Sequence, residues 1–410
     1  MKHSLSLVAA PLLVIGVLAA PIGGGAGDQN KTRALTQAYN ESGQQLFKQF
    51  AARPGNIVFS PYSIGTAMAM ALAGARGDTE TEMVKVLKHR LGRTEIDTAN
   101  ADLLAILSGY DRSGGPTAKL RSANALMLTK EGDRISSEYA ALLKDKYAAE
   151  VFQGAQLEDI NGWVKRKTEG KIEKIIDQLD PDSAAVLLNA VYFKARWASV
   201  FDKRLTKDAP FLLTASNKVK VPMMQQMGSF ALVKRQGYRA IRLPYQVRAL
   251  GMVIALPDEV EGLREVAGRL DARELTEVLT ALRGRIANPI VELAVPRFKA
   301  EFKVELKSSF QQAGMTKAFS DEEADFSGMT RPGSRLVIGR VVHRAVIEVA
   351  EESTEAAAAT AVEAVPAKAR IVPEPFRVDR PFLFYIVDDS SGAILFQGRI
   401  ADPSKPAKSS

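Results

Sequence analysis

Residues 351–375, EESTEAAAATAVEAVPAKARIVPEP, constrain this chain more than any other stretch. They follow directly on RVVHRAVIEV, whose period-two alternation is that of a β-strand, and they run into three prolines. Four alanines between threonines, with glutamates ahead of them, have the local propensity of a helix. Such a helix has no obvious partner here. Written as a strand, the same residues place Thr354, Ala356, Ala358, Thr360, Val362 and Ala364 on one face. Glu355, Ala357, Ala359, Ala361 and Glu363 fall on the other. One face is thus free of charge and could lie over a buried core without burying a carboxylate. Pro366 lacks the N–H that a central strand needs, so pairing ends near Val365, after about 40 Å of strand. The residues alone leave both readings open.

Length and composition frame the choice. The chain has 410 residues, 46% hydrophobic and 25% charged, and can bury a large core. No Pro/Gly/Ser-rich linker interrupts its middle and no internal repeat is visible, so one large domain is expected. At the N-terminus Lys2 precedes an apolar run over residues 5–20 and then the small-residue stretch PIGGGAG, the layout of a secretory signal peptide. The run is short for a bilayer span. Residues 1–27 are therefore read as signal and linker, residues 28–410 as the folded domain, and the mature protein as secreted, extracellular or periplasmic, with no membrane segment. The absence of cysteine rules out disulfides and points to a prokaryotic source.

The net charge of +8 speaks to loose association before it speaks to a site. Lys85, Lys88, His89, Arg90 and Arg93 cluster, as do Lys165, Arg166, Lys167, Lys171 and Lys174, and both groups read as solvated helix faces. No aromatic or Gly-rich pattern accompanies them, so no nucleic-acid partner is expected. Three histidines are too few for most acid–base or metal work, since His3 leaves with the signal and His89 reads as part of a basic helix. GxSxG, GxxxxGK[ST], HExxH and CxxC are all missing. No catalytic residue, metal or cofactor is expected.

Residues 56–83, NIVFSPYSIGTAMAMALAGARGDTETEM, begin with a short strand, followed by Ser60 as N-cap and Pro61 at the first helical position. The helix body is apolar or small nearly all round, which predicts a buried helix with a thin profile. RGD at residues 76–78 precedes Thr79 and Glu82, a capping-box pair, and reads as structure rather than as an adhesion motif. Later, GYRAIRLPY, ALGMVIALP, PIVELAVPRF and RVVHRAVIEVAEE are strand patterns, so the class is α+β. The last puts Val341, His343, Ala345, Ile347 and Val349 on one face, with Arg344 and Glu348 opposite. His343 must then find hydrogen-bond partners, since an unpaired buried polar group costs about 1–3 kcal/mol.

Across essentially all of the mature sequence these residues resemble the serpin family. The resemblance is carried by NIVFSPYSI at residues 56–64, INGWVKRKTEGKI at 160–172, NAVYFKARW at 189–197 and VPRF at 295–298. VAEESTEAAAATA at 349–361 and RPFLFYIVDDSSGAILFQGRIADP at 380–403 complete it, in the family's order and spacing. It implies a fold of three β-sheets and eight to nine helices, with an exposed reactive loop near residues 351–375. It also implies that the alanine-rich hinge is a strand in waiting, which inserts into the large sheet once a serine protease has cut the loop.

Carried over residue by residue, the resemblance implies a hinge of Glu351, Glu352, Ser353, Thr354, Glu355, Ala356, Ala357, Ala358 and Ala359. Ser60, Ser63, Asn189 and His343 match the family's polar gate beneath the central sheet, and Trp197, Arg297 and Glu351 match the region where the loop first enters it. Ser353 stands where Gly is usual and Ala350 where Asp or Asn is common. Counting from the hinge gives Ala367–Lys368 as the attacked bond, and AVPA before it suits a small, elastase-like primary pocket. Lys368 or Arg370 as specificity residue would instead imply a trypsin-like or subtilisin-like target.

The expected function is thus a monomeric inhibitor consumed as a suicide substrate in a covalent complex with its serine protease. A non-inhibitory carrier, chaperone or storage serpin is the second reading, against which the uncharged inward face of the hinge counts. A polyanion-binding protein is the third, with weak affinity expected because DTANADLLAILSGYD, residues 97–111, contains no Lys or Arg.

Overall fold

The NIVFSPYSI motif turns a strand into a helix within a few residues. Ile57–Phe59 is a strand, Ser60 caps the helix Pro61–Gly74, and its hydroxyl accepts from Ser63 N–H at 3.0 Å. Pro61 occupies the first helical position, where a missing N–H forfeits nothing. Every residue of this helix is buried. Its thin profile admits side chains rather than backbone: a Cβ on Gly65 would fall 2.4 Å from Cγ of Tyr39, which projects from the long helix Ala26–Phe50.

The computed structural model describes residues 26–111, 118–129, 135–179, 185–284, 287–331, 336–351 and 372–405. Among them are nine α-helices and three β-sheets, the α+β architecture that the patterns predict. The first helix already starts at Ala26. No described helix is long and apolar enough to cross a membrane. A six-stranded antiparallel sheet runs Ile57–Phe59, Ile394–Ile400, Phe382–Asp388, Leu250–Pro257, Tyr238–Pro244, Ala231–Arg235. A four-stranded sheet runs Glu374–Arg377, Ile290–Pro296, Lys218–Ser229, Lys207–Leu212. The third sheet positions the site. Its order is Phe298–Glu305, Ile338–Val349, Ala185–Ala195, Ala118–Leu128, Glu150–Gln153. At its centre Ile338–Val349 and Ala185–Ala195 lie parallel, with His343 opposite Asn189.

Both faces of this central pair are covered over most of its length, as is usual for a parallel pairing, and Glu348 is its exposed residue on Ile338–Val349. Val341, Ala345, Ile347 and Val349 join the main core, as the alternation predicts. Val342 and Val346, on the same face of the strand as the outward Arg344 and Glu348, are also buried, against a second core under the helix Leu157–Lys167.

Two local expectations are corrected. The helix after RGD is Gly77–Val86, with Arg76 as N-cap and no side-chain cap bond, so Thr79 and Glu82 form no capping box. Both reach across the chain instead: Thr79 Oγ1 accepts from Asp325 N–H at 3.0 Å, and Glu82 accepts from Thr316 and Lys317 N–H at 2.8 Å. His89 is not on a solvated helix face either. The helix ends at Val86, Lys88 adopts φ of 62°, and His89 turns inward, edge-on to the Tyr39 ring at 5.9 Å.

Candidate functional site

Three strands of the central sheet present one polar side chain each at the same level. Asn124, Asn189 and His343 are register partners across Ala118–Leu128, Ala185–Ala195 and Ile338–Val349, and all three are buried. Beneath them lies the start of the buried helix. Asn189 Nδ2 donates to Ser63 O at 3.0 Å, Ser63 Oγ at 2.6 Å and Asn124 Oδ1 at 2.5 Å. Ser60 N–H donates to His343 Nε2 at 3.3 Å, which makes that nitrogen an acceptor. Nδ1 must then carry the proton, and it faces Asn189 Oδ1 in a short hydrogen bond. The structure therefore brings Ser60, Ser63, Asn189 and His343 together, and His343 holds the partners that an inward histidine requires. Since the bond from His343 to Asn189 crosses the parallel pair, it ties one strand to the other.

That arrangement leaves no acceptor for a second proton on His343. Burial pushes the ring down to about 3, and it pushes His89 down to about 4. In the unfolded chain each titrates near 6.5. Folded pKa values below the unfolded one mean stability that is complete above pH 6.5 and lost as pH falls, on the order of 2 kcal/mol per histidine by pH 5. Urea midpoints should decline steadily between pH 7 and pH 5. Neither ring nitrogen of His89 has a partner among the described residues. His89→Phe should therefore fold as well at pH 7 and lose about half of that decline. A decline that is unchanged in His89→Phe would show that this ring does not contribute.

At the far end of Ile338–Val349 the chain is held before the hinge. Trp197 Nε1–H donates to Ala350 O at 2.8 Å, and its indole stacks on Tyr245 with centroids 4.5 Å apart. Glu351 is 4% exposed and accepts from Thr206 Oγ1 at 2.7 Å. Arg297 pairs with it at 3.8 Å, through a side chain that is half exposed. Trp197, Arg297 and Glu351 thus meet at the end of this strand. Thr206, which makes the tighter contact, has no signal in the sequence. Asn124 and Ser122 carry none either; Ser122 Oγ lies 3.3 Å from Ser63 Oγ. Glu352, Ser353, Thr354, Glu355, Ala356, Ala357, Ala358, Ala359, Ala367 and Lys368 lie outside the described residues. Among the described residues no group of three or more His, Asp or Glu could hold a metal ion.

Comparison with known proteins gives a consistent outcome. A family model described as serpin (serine protease inhibitor) matches residues 37–403. An uncharacterized serpin-like protein of Thermococcus kodakarensis is 37% identical over 384 residues, 92% of this chain and 87% of its own. Leukocyte elastase inhibitor of Bos taurus is 38% identical over 369 residues, 85% of this chain and 93% of its own. Among solved structures, human thyroxine-binding globulin complexed with thyroine superposes with a TM-score of 0.80 at 28% identity, covering 92% of this chain and all of that one. With a three-sheet fold, a family model over most of its length and relatives more than a third identical, the chain belongs to the serpin family.

Proposed function

We propose that this serpin is a secreted, single-domain, monomeric inhibitor of serine proteases that is consumed by its target. The protease cuts the loop as a substrate, forms an acyl-enzyme, and is trapped when the cleaved loop inserts as a strand into the five-stranded sheet. Ser60, Ser63, Asn189 and His343 serve as the gate that the inserting strand must part.

The observation that carries this reading is the parallel pair at the sheet's centre. Ile338–Val349 and Ala185–Ala195 point the same way, and the chain leaves the first of them at Ala350 straight into the hinge. A segment that turned back there would run antiparallel to both strands and could pair with both. One parallel ladder would be exchanged for two antiparallel ones, and parallel pairing is the slightly weaker kind per residue. The uncharged face of the hinge sequence suits the main core below.

A carrier role is the second reading, supported by the likeness to the thyroxine-bound globulin. The hinge argues against it, because a loop that never inserts has no need of a small, uncharged inward face. The two readings separate in one experiment. Incubation with a panel of serine proteases should give a band on a denaturing gel at the summed mass of inhibitor and protease. Complete cleavage with every protease and no such band would overturn the inhibitor reading.

The same incubation tests specificity. Elastase-like proteases are expected to be inhibited faster than trypsin-like ones, and the released C-terminal fragment to begin at Lys368. The likeness to leukocyte elastase inhibitor supports this choice. A fragment beginning at Ala369 or Ile371 would move the attacked bond to Lys368 or Arg370.

A further inference from the structure

The outer face of the central parallel pair is covered by a strap, residues 168–179, that leaves the helix Leu157–Lys167. Polar side chains fold this strap back on its own helix. Thr168 Oγ1 donates to Val164 O at 2.8 Å and accepts from Ile172 N–H, while Asn161 Oδ1 accepts from Ile175 N–H at 2.8 Å. Ile172, Ile175 and Ile176 are then buried in the second core with Tyr192, Val342 and Val346.

What remains on the strap is charge, and it is tied down on both sides of the pair. On one side Glu169 holds Lys119 at 3.1 Å and Arg121 at 2.9 Å, both on Ala118–Leu128. On the other, Lys303 of Phe298–Glu305 pairs with Asp177, and Arg344 of the pair itself donates to Lys174 O. Lys171 sits between. Its Nζ is 5.6 Å from the centroid of the Tyr192 ring on Ala185–Ala195, and 3.5 Å from Glu348 Oε2 on Ile338–Val349. One ammonium therefore touches both strands of the parallel pair.

We propose that Lys171 is a clasp across the joint between Ala185–Ala195 and Ile338–Val349, a positioning residue whose two contacts set how readily that joint opens. The proposal deepens the trap reading, on which it rests only for its consequence in inhibition. Admitting a strand moves the two neighbours apart by about 4.8 Å, one strand spacing. Lys171 cannot then keep both Tyr192 and Glu348, so its contacts favour the closed joint and are lost on opening. Lys171 and Glu348 are 37% and 44% exposed as side chains, which makes the ion pair weak and sensitive to salt. A weak clasp holds the sheet at rest while leaving it able to open.

Hydrogen exchange of the intact protein, without any protease, tests this. In Lys171→Met, which keeps an apolar stem and loses the charge, amides of residues 187–193 and 341–347 should exchange roughly three- to tenfold faster at low salt. Amides of the six-stranded sheet should be unchanged. Raising the salt to about 1 M should speed these amides in the wild type towards the variant and leave the variant where it is. Exchanging the charges, in Lys171→Glu with Glu348→Lys, should restore part of the protection. Equal exchange in wild type and Lys171→Met would overturn the clasp, and so would acceleration spread evenly over all three sheets. Because the measurement contains no protease, a wild type that formed no covalent complex would defeat the trap reading, while the clasp would still stand or fall on exchange alone.

Discussion

His343→Ala is expected to lower the melting midpoint by roughly 5 °C and to turn gently heated protein into oligomers. The substitution orphans Ser60 N–H and Asn189 Oδ1 in a site from which solvent is excluded. At about 1–3 kcal/mol for each unsatisfied group, with a cavity added, the loss is on the order of 4 kcal/mol. Its location matters more than its size. Asn189 keeps its bonds to Ser63 and Asn124, so Ala185–Ala195 stays fastened to the helix below and to Ala118–Leu128. Only the tie to Ile338–Val349 is cut. The sheet is thereby weakened along the line where an inserting strand would enter, and an opened joint is a pair of strand edges that another molecule's loop can fill. Size-exclusion chromatography after mild heating, beside a melting curve, checks this. An unchanged midpoint with a purely monomeric heated sample would remove His343 from the gating role.

How far the sequence could be read depended on where each residue's partners lie. Ser60 and Pro61 were legible because capping is local, and the strand bearing His343 was legible because alternation is local. The partners of His343 were named through the family motifs. Asn124 was not, since RSANALML reads as an ordinary strand, and its contact with Asn189 depends on a register set 65 residues away. The burial of Val342 and Val346 was hidden in the same way. Sharing a face with Arg344 and Glu348 they look outward, and only the distant helix Leu157–Lys167 and its strap cover them. His89 departs from its expected place because a single left-handed residue, Lys88, turns this one ring inward out of a basic run whose Lys85, Lys88 and Arg90 stay exposed, and composition carries no trace of that. Thr206 shows the limit at the hinge: a threonine after a 3-10 turn has no pattern, yet it makes the shorter contact to Glu351.

Thr354→Arg is expected to be cut at the same bond as wild type while forming little covalent complex. In the proposed trap the protease's own serine is acylated at Ala367, and the cleaved loop must insert before water completes hydrolysis. Inhibition is therefore a race between insertion and deacylation. On strand parity Thr354 heads the uncharged face of the hinge, Thr354 to Ala364, that would turn inward towards the core that Val341, Ala345 and Ile347 join beneath the central pair. An arginine there must be desolvated to enter, at a cost of several kcal/mol. Each 1.4 kcal/mol on a barrier is about tenfold in rate, so a penalty of about 3 kcal/mol slows insertion roughly a hundredfold and gives the race to water. Glu355→Arg changes charge by more but lies on the opposite face, and it should keep most of the inhibition. Insertion also predicts that cleaved wild type melts above the intact protein, by a margin larger than the His343→Ala loss, because two antiparallel ladders replace one parallel ladder. Cleaved Thr354→Arg should show much less of that gain. The two measurements are independent, one kinetic and one at equilibrium, and both depend on the same face of the same strand. Equal inhibition by the Thr354 and Glu355 variants, or no thermal gain on cleavage of the wild type, would mean that this loop does not enter the sheet.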